Sequence, residues 1–238
     1  MKLAYCFTIR IMREGRLEFY KKLIEKSIYS GMRFHSVTLY TDKETLPHLS
    51  HIQCKKVLVD TDGFFYLDDF KIHLLSVLDN DTVLVDTDVI FWHKLTLPDG
   101  YDMYADRTED VLNENYSWNY QHFLDRGVLD IYPQFLPAPP LAPNIGILYF
   151  NNQKLKTDYI NLYWKIREWL IGGERRYNGS SIILGQYTLA TLIQNGGYNV
   201  YYLFNTPNNL FDHHCGEQKF ETLDLDNLDV QFKPKRWV

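Results

Sequence analysis

The hexapeptide Val-Leu-Val-Asp-Thr-Asp occurs twice in this chain, over residues 57–62 and again over 83–88. Each copy is an apolar run followed by two carboxylates one residue apart. Alternate residues of an extended chain point the same way, so the aspartates of either copy could grip one cation. A cation there would neutralise charge on a leaving oxygen, as in cleavage of a sugar–diphosphate bond. The tripeptide alone is a weak signal, because solvated aspartates at a strand end read identically. Context separates the copies. Asp86 and Asp88 follow an amphipathic segment that carries Lys71, and they lead into the apolar Val89-Ile90-Phe91-Trp92. Asp60 and Asp62 run into Gly63-Phe64-Phe65, a flexible turn. The metal is therefore expected on the second copy, and the first reads as a strand-end loop whose Asp62 could lie near a bound nucleotide.

The elements that must carry these residues follow from hydrophobic periodicity. Residues 2–9 read as a buried strand, and Leu17, Tyr20, Leu23, Ile24 and Ile28 mark a helix over 17–28. Strands are expected over 36–40, 56–59 and 82–85, and a helix over 70–78 with Leu74, Leu75 and Leu78 on one face. Strands alternating with helices imply an α/β fold with a mostly parallel, Rossmann-like sheet, which binds ligands beyond the carboxyl ends of its strands. The stretch 99–143 is irregular, aromatic and closed by five prolines from Pro133 to Pro143. Proline favours extended backbone there, and a long loop suggests a lid or acceptor wall. A strand over 145–150 follows, then a helix stopped by Gly172-Gly173, a second helix over 182–193 stopped by Asn195-Gly196-Gly197, and a strand over 198–203.

Three further sequence features bear on the same chemistry. Asn144-Ile145-Gly146 precedes a strand, Gln186 lies on the inward face of its helix, and His213, Gly216 and Lys219 form a late His-x-x-Gly-x-x-Lys. In this order, after the DxD, they resemble glycosyltransferases of the GT-A fold, most closely those of family eight. The resemblance spans residues 71–219. It implies that Asp86, Asp88 and His213 hold Mn²⁺ or Mg²⁺, a donor set those ions accept. It implies that Thr87, Gly216 and Lys219 approach the donor diphosphate, with Lys219 adding a point charge. Thr8, Ile9 and Arg10 would lie near base and ribose and Asp42 beside the base, unless Asp42 caps the segment after it. Lys71, Asp106, Asn144 and Gln186 would meet donor phosphate or sugar hydroxyls, with Gln186 the polar group nearest the reacting face. The family carries an Asp where this chain has Gly185, and Pro-Trp where Phe220 and Glu221 stand. The implied activity is transfer of a sugar from a nucleoside diphosphate donor, UDP by default, to a glycan or other hydroxyl acceptor with retention of configuration.

Composition bounds the alternatives. The 238 residues suit a single domain over 1–238, with a nucleotide-binding half to about residue 92 and a donor-sugar and acceptor half from about 93. A net charge of −5 disfavours nucleic acid as a partner. The basic run Lys233-Pro234-Lys235-Arg236-Trp237 reads as a solvated tail or as weak adhesion to an anionic membrane. Three widely spaced cysteines, no secretory leader and no membrane-length apolar run point to the cytoplasm. Two rival readings stay open: a phosphohydrolase of the haloacid dehalogenase type, whose DxD nucleophile Asp60-Thr61-Asp62-Gly63 resembles more, and a non-catalytic nucleotide-sugar or carbohydrate binder.

Overall fold

The computed structural model describes residues 1–11, 15–110, 121, 123–135, 141–172, 183–205, 210–214, 220 and 223–225. Two compact units are interleaved along the chain. The first comprises Met1–Phe65, Asp81–Leu97 and Thr206–Val238; the second comprises Tyr66–Asn80 and Pro98–Asn205. Both are α/β, with helices flanking the strands. The first unit's sheet is parallel and the second mixes parallel and antiparallel pairs, so that parallel pairing predominates in the main sheet, as the periodicity predicts.

In the first unit β1 (Lys2–Phe7), β2 (Ser36–Thr41), β3 (Lys55–Leu58) and β4 (Thr82–Val85) form a parallel sheet in the order β3-β2-β1-β4. The register runs Leu3 against Val37 and Val83. Leu3, Ala4, Leu39, Val83 and Leu84 are buried, so β1 and β4 read as near-continuous apolar runs, as strands covered on both faces do. Because the strands are parallel, Thr8, Asp42, Asp60 and Asp86 all emerge at one edge. Helix α1 (Leu17–Met32) crosses from β1 to β2 and runs one turn further than its apolar spacing indicates. The apolar run after the second DxD is a strand, β5 (Val89–Phe91), paired antiparallel with β11 (Phe211–His213). Short strands paired only at long range leave no periodic trace, which is why the sequence does not announce β11.

In the second unit β6 (Met103–Ala105) lies between β9 (Ile147–Phe150), antiparallel, and β10 (Val200–Tyr202), parallel. The stretch read as a loop over 99–143 holds β6, a short hairpin of β7 (Thr108–Asp110) and β8 (Leu141–Pro143), and helix α3 (Val128–Ile131). Three-residue strands are too short to alternate visibly, so polar and proline-rich residues masked them. Helix α2 (Leu67–Val77) packs on α4 (Gln153–Gly172) through Asp69, which is fully buried. Asp69 accepts from Tyr163 Oη at 2.7 Å, Arg167 Nη2 at 3.1 Å and the Tyr66 amide at 3.2 Å. Burial pushes the Tyr163 hydroxyl well above its ordinary range, which keeps it a donor. The expected helix over 182–193 is instead a π-helical turn, Ile183–Tyr187, running into α5 (Thr188–Gly196). Gly197 ends it in the left-handed region, with φ of 63°. No described helix is long and apolar enough to cross a membrane.

Candidate metal centre and nucleotide groove

Strand β4 ends at Val85 and delivers Asp86 into a tight turn closed by the Val89 amide on the Asp86 carbonyl at 3.3 Å. The turn feeds β5, which is held from both sides. Ser27 Oγ of α1 donates to the Val89 carbonyl at 2.5 Å, and the Phe91 amide donates to Ser30 Oγ at 2.9 Å. On its other edge β11 sets His213 opposite Val89, next to Asp88. The His214 amide then donates to the Asp88 carbonyl at 3.1 Å, and Trp92 Nε1 donates to Asp212 Oδ2 at 2.7 Å. Leu23, Ile90 and Leu225 close the apolar side, with Phe19, Trp92 and Leu223 against them.

This ladder brings His213 to the two aspartates, which precede it by more than a hundred residues in sequence. Asp86, Asp88 and His213 each offer one ligand atom, all within 4.8 Å of one another. His213 Nε2 lies 3.2 Å from Asp88 Oδ1. Two ligands about 2.1 Å from one octahedral ion sit about 3 Å apart, so the pair has the spacing of adjacent ligands. Among the described residues this is the one group of three able to hold a metal ion. The first copy of the hexapeptide is used differently. The Asp62 amide donates to Asp60 Oδ1 at 2.9 Å, and Asp62 Oδ1 accepts from Arg10 Nη1 at 2.6 Å.

Arg10 also reaches Thr61 Oγ1 at 3.1 Å and lies 3.8 Å from Glu44. These residues, with Asp42, Lys43, Leu58, Val59 and Asp60, line an open groove of about 400 Å³ beyond β2 and β3. Four carboxylates against two cations suit a base and sugar hydroxyls, not a polyphosphate. Of the nucleotide residues expected from resemblance, Arg10 and Asp42 line this groove. Thr8 is buried and its Oγ1 accepts from the Arg10 amide at 3.2 Å. Asp42 caps its own turn: Oδ1 accepts from the Thr45 amide at 2.8 Å and Oδ2 from Thr45 Oγ1 at 3.0 Å, while the Ile9 amide donates to Thr45 Oγ1 at 2.9 Å. Thr87 is part of the Asp86–Asp88 turn. Gly216 and Lys219 lie outside the described residues.

Lys71, Asp106, Asn144 and Gln186 all belong to the second unit, and all are buried. Lys71 Nζ lies 3.7 Å from Asp68 Oδ1. The Asp106 amide donates to the Asn144 carbonyl at 3.3 Å, and Arg107 Nε donates to Asp106 Oδ2 at 3.2 Å. Both ends of the Asn144 amide are engaged: Oδ1 accepts from the Gly146 amide at 2.7 Å and Nδ2 donates to Glu109 Oε1 at 2.5 Å. Asp68 and Glu109 escaped the sequence reading. Only the i, i+3 spacing of Asp68 to Lys71 could have pointed to the former.

No protein-family model and no curated protein matches the chain. Solved structures similar to it in fold include the following three. Mouse xyloside xylosyltransferase 1 is 11% identical over 85% of this chain and 84% of that one, with a TM-score of 0.48. The glycosyltransferase GlyE of Streptococcus pneumoniae TIGR4 is 13% identical over 100% of this chain and 66% of that one, with a TM-score of 0.48. The PaToxG glycosyltransferase is 12% identical over 82% and 69%, with a TM-score of 0.44. Likeness at this level says nothing of what this chain binds or transfers.

Proposed function

We propose that the chain is a metal-dependent glycosyltransferase of the GT-A type, resembling family eight, that uses a nucleoside diphosphate sugar. The observation that carries this reading is the convergence of Asp86, Asp88 and His213 at the carboxyl edge of a parallel sheet. Mn²⁺ or Mg²⁺ bound there would neutralise the donor diphosphate and the charge left on it. Arg10 and the groove beyond β2 and β3 take the nucleoside, with UDP the first candidate, and Asp42 shapes the turn that borders it. Lys219 and Gly216 are assigned to the diphosphate by resemblance. Lys71, Asp106, Asn144 and Gln186 keep their assignment to donor phosphate or sugar hydroxyls, Asn144 and Asp106 being tied by the Asp106 amide to the Asn144 carbonyl. A glycan or other hydroxyl acceptor attacks with retention. In the first hexapeptide the Asp60 carboxylate is tied to its own turn and Asp62 to Arg10, which leaves neither as a ready nucleophile for phosphoryl transfer.

The test is a thermal-shift panel of UDP, GDP, CDP and dTDP, each with and without Mn²⁺. One nucleotide should stand out, only with metal, because stabilisation grows with concentration over dissociation constant. No metal-dependent shift with any of the four, or brisk hydrolysis of a generic phosphomonoester, would remove the proposal.

A further inference from the structure

Position 185 is occupied by a side chain from elsewhere in the chain. A Cβ built on Gly185 would lie 2.5 Å from Asp68 Oδ2 and 3.1 Å from Ile145 Cδ1. The Asp68 carboxylate fills that space from α2, and its ion pair with Lys71 is buried, with side-chain exposures of 10% and 6%. The neighbouring Gln186 is 6% exposed, and among the described residues its Oε1 has no hydrogen-bond partner. Tyr159 Oη donates to the Gly185 carbonyl at 3.0 Å and fixes the turn, which is π-helical, a distortion that recurs at functional sites. A buried carboxylate, ammonium and unsatisfied carboxamide oxygen on adjoining positions are costly in an apo core. A ligand rich in hydroxyl groups would supply the donor that Gln186 Oε1 lacks among the described residues.

We propose that Asp68 recognises the donor sugar, its carboxylate presented through the gap at Gly185 and accepting hydrogen bonds from ring hydroxyls. Gln186 Oε1 accepts from a further hydroxyl, and Lys71 holds Asp68 in place. The carboxylate that position 185 lacks is thus supplied by α2. A neutral sugar with free vicinal hydroxyls is the matching ligand; a uronic acid would meet like charge. This inference rests on the nucleotide-sugar reading above, and its experiment separates the two. Affinities for UDP, UDP-glucose, UDP-galactose and UDP-glucuronate are measured by calorimetry in Mn²⁺ on the full chain.

The wild type should bind one neutral UDP-sugar more tightly than UDP. Asp68→Asn should lose about tenfold or more of the affinity for that UDP-sugar, the worth of one hydrogen bond to a charged group, and keep its affinity for UDP within about twofold. Gly185→Ala, whose methyl would displace the carboxylate, should fall the same way, and it serves as the reading if Asp68→Asn does not fold. The double variant D68G/G185D should recover part of the loss, which a purely structural role for Asp68 would not allow. Equal losses for UDP and UDP-sugar, or no loss in either, overturns the role of Asp68 alone. Failure of the wild type to bind any of these uridine nucleotides overturns this inference; the function proposal falls only if GDP, CDP and dTDP with Mn²⁺ also give no shift.

Discussion

His213 Nε2 and Asp88 Oδ1 meet at 3.2 Å, with both side chains largely enclosed. The His213 side chain is 2% exposed, and an imidazole so enclosed beside a carboxylate is well suited to share a cation with it. Asp88→Asn and His213→Ala should each lower affinity for Mn²⁺ by more than the roughly 10- to 100-fold that changes around a metal's ligands produce. Both should abolish sugar transfer and leave the far-ultraviolet circular dichroism unchanged. Near-normal turnover of either variant would refute the ligand set. A second residue sets a pH response. His35 Nε2 accepts from the Leu95 amide at 3.1 Å, so the ring is neutral when folded. Burial, then the positive N-terminus and Lys94, hold its pKa below the ordinary value. A depressed histidine pKa means that the unfolded chain binds the proton first. Its contribution is therefore complete above the unfolded value of about 6.5 and is lost as pH falls toward the folded one. The unfolding temperature should drop between pH 7.5 and pH 5, and His35→Gln should flatten that drop. A His35→Gln profile parallel to the wild type would remove the assignment.

At the scale of elements, the α2–α4 contact is the clearest energetic statement. Asp69 is fully buried and Arg167 is 13% exposed in its side chain, so removing one charge strands the other. Asp69→Ala should destabilise the protein by about 3–5 kcal/mol, read as a lower urea midpoint. An unfolding free energy within about 0.5 kcal/mol of wild type would show that the pair contributes nothing net. The same contact explains what was legible in the sequence. The strand over 82–85 and the starts of α1 and β2 fall where apolar spacing puts them, because local burial dictates those residues. Helix α2 begins at Leu67, earlier than its apolar face suggests, because its first turn is polar and Asp69 bonds back to the Tyr66 amide. A capping contact and a buried acid leave no hydrophobic signature. The π-helical turn at Ile183–Tyr187 was illegible for a similar reason, since Gly185 yields to a carboxylate more than a hundred residues away. Among site residues, Asp86 and Asp88 were readable from the strand before them, whereas His213 needed the later motif, and β11 became visible only through its pairing.

On the scale of the whole molecule, the first unit is assembled from three separate stretches, and its candidate metal centre depends on the last of them. Deleting Thr206–Val238 removes β11, and with it the only described partner on that edge of β5. The Trp92 and His93 amides lose the Leu210 carbonyl, Trp92 Nε1 loses Asp212, and Ile90 loses Leu225. An exposed strand edge and an opened apolar face both destabilise, and each lost bond is worth about 1 kcal/mol. His213→Ala removes the ligand while leaving the strand, so the two variants divide the effects. The truncated chain should unfold at lower temperature and show no Mn²⁺-dependent stabilisation by nucleotide; His213→Ala should keep its unfolding temperature and lose the same metal response. Should the truncated chain keep its full response to metal, then His213 is no ligand and Asp86 and Asp88 must act without it. Should it keep its unfolding temperature as well, the β5–β11 ladder would be shown to add nothing to the first unit, and the physical reason for placing His213 beside Asp88 would go with it.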